Sequence, residues 1–123
     1  MDITPLISAD RQVIQAYSQG AFKISGQIYN GSVIVSPGRT MPWPVQGKTL
    51  TPDDFAWALT PEWEQDVILL GCGPRTFMPD PAIRALLKSR HINLELMDTG
   101  AACRTYNVLM ADGRRIAAAL LPL

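Results

Sequence analysis

Two short segments hold the residue types that could do chemistry. In Gly71-Cys72-Gly73-Pro74-Arg75 the small residues let backbone amides approach a partner closely, and a guanidinium follows. In Asp98-Thr99-Gly100-Ala101-Ala102-Cys103-Arg104 a helix begins, so amides without intrahelical partners stand near the hydroxyl of Thr99 and the cation of Arg104. Together they compose an anion site, with Arg104 as the charge partner and Thr99 orienting the ligand. The glycine spacing matches neither a dinucleotide fingerprint nor a phosphate loop. The competing reading is therefore a pair of tight strand-to-helix turns.

Both cysteines fall on this same edge. Cys103 beside Arg104, in the first turn or so of a helix, occupies an environment that lowers a thiol pKa, which makes thiol redox or nucleophilic chemistry a third hypothesis. That hypothesis lacks a base, because His91 follows a helix over residues 81–90 and lies at the opposite end of the sheet. A buried cysteine serving as a small apolar residue is the simpler reading. Cys72 and Cys103 form no CxxC spacing and a single histidine builds no metal cluster, so neither a metal nor a cofactor is expected, and no residue is assigned as catalytic.

The elements that place these segments follow from the apolar pattern. Residues 67–70 are a short, unmixed apolar run ending at Gly71, as in a central strand covered on both faces. Asp80-Pro81 caps a helix whose Ile83, Leu86 and Leu87 form one stripe. Residues 92–97 make the next strand, Asp98 or Thr99 caps a helix running to about Met110, Gly113 supplies a left-handed stop, and residues 116–121 are a final strand. This β-α-β-α-β order implies parallel strands joined by right-handed crossovers, with ligands taken beyond the carboxyl ends of the strands.

The first half reads as largely β. Residues 21–24 and 32–35 are strands joined through Gly26, Asn30 and Gly31, which predicts an antiparallel hairpin or meander. Residues 37–47, with three prolines, two glycines and Trp43, predict a long surface loop. Thr51-Pro52-Asp53-Asp54 opens a helix that turns Phe55, Ala58 and Leu59 inward. Trp57 and Trp63 cover the core, whereas Trp43 is either a plug for the sheet edge or an exposed partner contact. Asn107 is unfavourable in a helix body unless its amide bonds something, so it is placed as a support of the site. Arg114 and Arg115 follow a turn at a strand entrance, and two cations are too few to steer an acidic partner.

Composition narrows the function classes. Eleven basic side chains balance eleven acidic ones over 123 residues, without the cationic surplus that nucleic-acid binding draws on. The longest apolar run, residues 116–121, falls far short of the roughly 20 residues that cross a bilayer, so no membrane insertion is expected. The first seven residues carry an acid and a proline and resemble neither a secretory signal nor an Arg-rich presequence, which leads to the expectation of a bacterial cytoplasmic protein.

Several stretches carry a family resemblance. Residues 26–35, Trp43, the Leu69-Leu70-Gly71-Cys72-Gly73 turn, the block over residues 97–109 and the alanine-rich close over residues 113–120 look like the Mth938-like domain family, which includes mitochondrial complex I assembly factor 3 and many short bacterial proteins. The resemblance covers nearly the whole chain. It implies a three-layer α/β domain: a mixed central β-sheet, helices packed on it, and an additional β layer from the N-terminal half. Its motif falls on Gly71, Gly73, Thr99, Ala101, Arg104 and Asn107, and Cys72 stands where a Thr or Ser is common. The function it implies is non-enzymatic protein binding in the assembly of a respiratory complex, with a hydrophobic contact surface around Trp43, Phe77 and Met78. The alternative remains a small-anion-binding protein or enzyme using residues 71–73 and 99–104.

Overall fold

In the computed structural model, the final strand organises the molecule. Residues 11–45 and 49–123 are described, and they form eight strands, two α-helices and one 3-10 helix. Strand β8 (Ile116–Leu121) is buried at all six positions and lies at the centre of a five-stranded sheet. It is flanked by β4 (Val33–Ser36) on one side and by β6 (Val67–Cys72) on the other. The outer strands are β5 (Arg39–Pro42) beyond β4, and β7 (Asn93–Met97) beyond β6. β6 runs parallel to both β7 and β8, whereas β4 is antiparallel to β5 and β8, so the sheet is mixed.

Alternation along the central strands divides the interior into two cores. Ala117, Ala119, Leu121, Ile68, Leu70, Cys72 and Ile34 face one core, which also takes Ile83 and Leu87 of α1 (Pro81–Lys88), and Phe55 and Ala58 of the 3-10 helix (Pro52–Leu59). Ile116, Ala118, Leu120, Leu69, Val33 and Val35 face the other, filled by Ala102, Cys103, Tyr106 and Met110 of α2 (Thr99–Ala111). That second core is closed by a separate antiparallel sheet, β1 (Ile14–Ser18), β2 (Ala21–Ile24) and β3 (Gln27–Asn30), through Ile14, Phe22 and Ile24. The two helices lie on opposite faces because the chain moves from β6 to β7 in one direction and then back past β6 to β8. Crossovers of one hand in opposite directions cover opposite faces. The mixed three-layer α/β architecture is thus the one the resemblance implied.

Local expectations needed correction in the first half. Residues 21–24 and 32–35 are both strands, but they do not pair: β3 intervenes against β2, and β4 crosses into the other sheet. The burial explains it, since Val33, Ile34 and Val35 are apolar on both faces and suit a covered sheet, whereas Gln27, Ile28 and Asn30 of β3 are exposed. The loop expected over residues 37–47 contains β5, an edge strand that tolerates Pro42; residues 46–48 lie outside the described ones. The helix opened by Thr51 is of the 3-10 type. Three of its carbonyls accept from side chains, Asp54 from Trp43 Nε1 at 2.9 Å, Trp57 from Thr60 Oγ1 at 2.8 Å and Ala58 from Gln65 Nε2 at 3.0 Å, and its Leu59 is only half-buried.

Both α-helix exits follow expected stop chemistry. Gly113 has φ +77°, and Arg114 N–H reaches back to the Leu109 carbonyl at 3.0 Å. At the end of α1 His91 takes the same left-handed role at φ +61°, with Ile92 N–H on the Leu87 carbonyl at 3.0 Å. His91 therefore terminates a helix and stays exposed, away from the carboxyl edge of the strands.

Candidate functional site at the carboxyl edge

The gap between the carboxyl ends of β6 and β8 lies on the edge of the sheet where ligands of open α/β sheets usually bind. Here it is closed by one side chain. Thr99 Oγ1 accepts from Gly73 N–H at 2.8 Å and donates to the Leu121 carbonyl at 2.6 Å, while Thr99 N–H donates to the Gly73 carbonyl at 2.8 Å. Thr99 is 0% exposed. Both polar groups of Gly73 can face Thr99 because its φ is +86°, in the left-handed region open to glycine. Gly71 permits the close approach: a Cβ there would stand 2.8 Å from Leu120 Cδ2 and 3.2 Å from Thr99 Cα.

The start of α2 is likewise engaged within the fold. Asp98 is its N-cap, its Oδ1 accepting from Ala101 N–H at 2.9 Å and its carbonyl from Ala102 N–H at 2.9 Å. Tyr17 of β1 lies over Gly100, where an added Cβ would come 3.1 Å from its hydroxyl. Arg104 is exposed and donates from Nη1 to that same hydroxyl at 2.8 Å. One turn on, Asn107 joins β1 in the manner of a strand residue. Its Oδ1 accepts from Ile14 N–H at 3.0 Å, and its Nδ2 donates to the Ile14 carbonyl at 2.8 Å. Asn107 thus has the partner its place in a helix body requires. Tyr17 is a contributor that no sequence pattern marks, since nothing periodic links residue 17 to residue 104.

Both thiols are held inside the fold. Cys103 is 1% exposed, and burial pushes its thiol up to about 12, outweighing the lowering by Arg104. At Cys103 burial therefore outweighs the helix start and its cation. Cys72 is also buried, and its sulfur lies 3.7 Å from the Leu70 carbonyl. Neither cysteine is in a disulfide.

The contact surface expected around Trp43, Phe77 and Met78 divides. Trp43 is buried, its ring edge-on to Phe55 at 5.4 Å, and of its two readings the structure has the plug. Phe77 is half-buried against the first core. Met78 is 83% exposed and Arg75 is exposed, so the loop after Gly73 carries an apolar tip and a cation into solvent. Thr99, Gly71 and Gly73 form the floor of this edge, Arg104 and Arg75 its outward cations. Asn107 lies further along α2, and Trp43 belongs to the core.

A family model described as "Protein of unknown function (DUF498/DUF598)" matches residues 14–121. The chain belongs to that family. Among solved structures, a solution structure from Bordetella pertussis described as an Mth938-like domain superposes with TM-score 0.82 at 28% identity, covering 99% of this chain and 92% of that one. A Bartonella henselae crystal structure described as an outer membrane protein gives TM-score 0.85 at 32% identity, covering 93% and 97%. The chain is also 32% identical over 112 residues to NADH dehydrogenase [ubiquinone] 1 alpha subcomplex assembly factor 3 of Bos taurus. That match takes in 89% of this chain and 60% of the bovine protein, so the chain spans well under two thirds of that relative's length. Among the described residues, no helix is long and apolar enough to cross a membrane.

Proposed function

We propose that this Mth938-like protein is a non-enzymatic, protein-binding factor that assists assembly of a respiratory complex of the NADH dehydrogenase type from its cytoplasmic side. The observation that carries the reading is the 32% identity to a complex I assembly factor, sustained over 89% of the chain. The geometry of the carboxyl edge agrees with it. The groups that would hold a small anion, the amide of Gly73 and the hydroxyl of Thr99, are bonded to each other, whereas Met78 and the cations Arg75 and Arg104 face outward. Exposed apolar and guanidinium side chains are the residue types that protein contacts draw on.

The test has two parts. Deleting the gene in its own cell should reduce assembled NADH dehydrogenase on native gels and accumulate a subassembly, with wild-type protein restoring the complex. Cross-linked purification should retain subunits of that complex with wild type, and lose them with a folded Met78→Asp or Arg104→Ala variant. Normal assembly after deletion, with no subunit retained by wild type, overturns the reading.

A further inference from the structure

At the amino ends of the parallel strands, opposite the edge described above, a second concavity of about 480 Å³ opens to solvent. Four of the chain's eight arginines line it: Arg11 before β1, Arg39 at the start of β5, and Arg114 and Arg115 before β8. Sequence spacing groups only the last two. The β4–β5 hairpin brings Arg39 across, and the hydrogen bond from Gln12 N–H to the Pro37 carbonyl at 3.0 Å holds the stretch next to Arg11 against the same hairpin. Among the described residues Glu62 and Glu64 are the acids in the lining, which leaves two positive charges in excess.

The cations are presented in a usable form. Arg39 lies over the Trp63 ring, its Cζ 5.0 Å from the ring centroid, and a guanidinium stacked on an aromatic face keeps its in-plane N–H donors for an oxyanion. Arg115 is held only loosely by Asp66 at 3.6 Å, with both side chains exposed. Gly38 and Gly113 contribute bare backbone to the walls, with nothing within 4 Å of where a Cβ would stand.

We infer that this cleft binds an acidic segment of a partner protein, with several of the four arginines taking carboxylates at once. Each exposed ion pair contributes little alone, so a single small anion is held weakly, whereas carboxylates linked in one chain add their contributions through effective concentration. The two glutamates disfavour the uniform phosphate chain of a nucleic acid, but a protein segment can space its carboxylates to avoid them. The site lies at the other end of the sheet from Met78, and the inference stands whether or not the partner belongs to a respiratory complex.

Fluorescence anisotropy with fluorescein-labelled hexaglutamate tests it on the full chain, in 20 mM and 300 mM salt. Wild type should bind at low salt and weaken at least tenfold at high salt. Arg39→Gln with Arg114→Gln should weaken binding at least fivefold, and Glu62→Gln with Glu64→Gln should tighten it at least twofold. Lys23→Gln with Lys88→Gln, an equal loss of charge elsewhere, should change it less than twofold. If loss of the Arg39 stack unfolds the first variant, Arg114→Gln with Arg115→Gln takes its place. No binding in 20 mM salt, equal weakening by the lysine pair, or tighter binding of an oligothymidylate or of inorganic phosphate overturns the inference.

Discussion

Thr99 shows how one hydroxyl can decide the character of an edge. With donor and acceptor both used between Gly73 and Leu121, it turns a ligand crevice into a buried joint between β6, β8 and α2. Thr99→Val keeps the shape and strands an amide and a carbonyl, each costing about 1–3 kcal/mol when buried and unpaired. Urea denaturation should therefore report a loss of about 2–6 kcal/mol for Thr99→Val, and a much smaller loss for Thr99→Ser. Cys103 makes a pH-dependent prediction at the same scale. Its thiol is raised from 9.0 to about 12 by burial, so the native state keeps a proton that the unfolded chain releases. The stabilisation is complete below pH 9 and declines as pH rises from there toward 12, with a slope of about 1.4 kcal/mol per pH unit from this group. Unfolding free energies between pH 8 and 10.5 should decline less steeply for Cys103→Ala than for wild type.

Among the elements, the attachment of the three-stranded sheet to α2 is polar at its edge and apolar beneath. Ile14, Phe22 and Ile24 supply the burial. Asn107 on Ile14, Tyr106 Oη on the Gln12 carbonyl at 2.8 Å and Arg104 on Tyr17 set where β1 lies along the helix. The β1–β2 register shifts between Ile14 and Ala16, next to the point where the Asn107 amide pairs with Ile14. Asn107→Ala should cost about 1–3 kcal/mol. It should also raise hydrogen exchange at Ile14 and its β1 neighbours well before that of β6 or β8, which amide-resolved exchange measures. The same element scale explains why the second half was legible and the first was not. β6 and β8 announce themselves by unmixed apolar runs, β7 by alternation around Leu94 and Leu96, and α1 and α2 by capped stripes, and Asp80, Asp98 and Gly113 act where chain chemistry puts them. The short strands between residues 14 and 42 have turns at similar spacing, and nothing local says which strand pairs with which.

Across the whole molecule, one strand belongs to both cores. β8 sends Ala117, Ala119 and Leu121 to one side and Ile116, Ala118 and Leu120 to the other, so opening it disrupts both at once. Its amides should exchange only through global unfolding, while those of the edge strands β3 and β5 exchange through local opening, a difference that native-state exchange under graded denaturant resolves. Charge is distributed on the same scale: a chain with formal net charge zero gathers four arginines at one end. The sequence by itself determined the α/β order of the second half, the caps and stops of its helices, and the family, because these depend on neighbours in the chain and on which side chains leave water. Tertiary structure alone decided that Trp43 is a plug, that Thr99 closes the crevice its own segment seemed to open, and that Arg11 and Arg39 join Arg114 and Arg115. Each of those outcomes depends on groups dozens of residues apart meeting within a few ångströms, and strand pairing, which no local pattern encodes, is what brings them there.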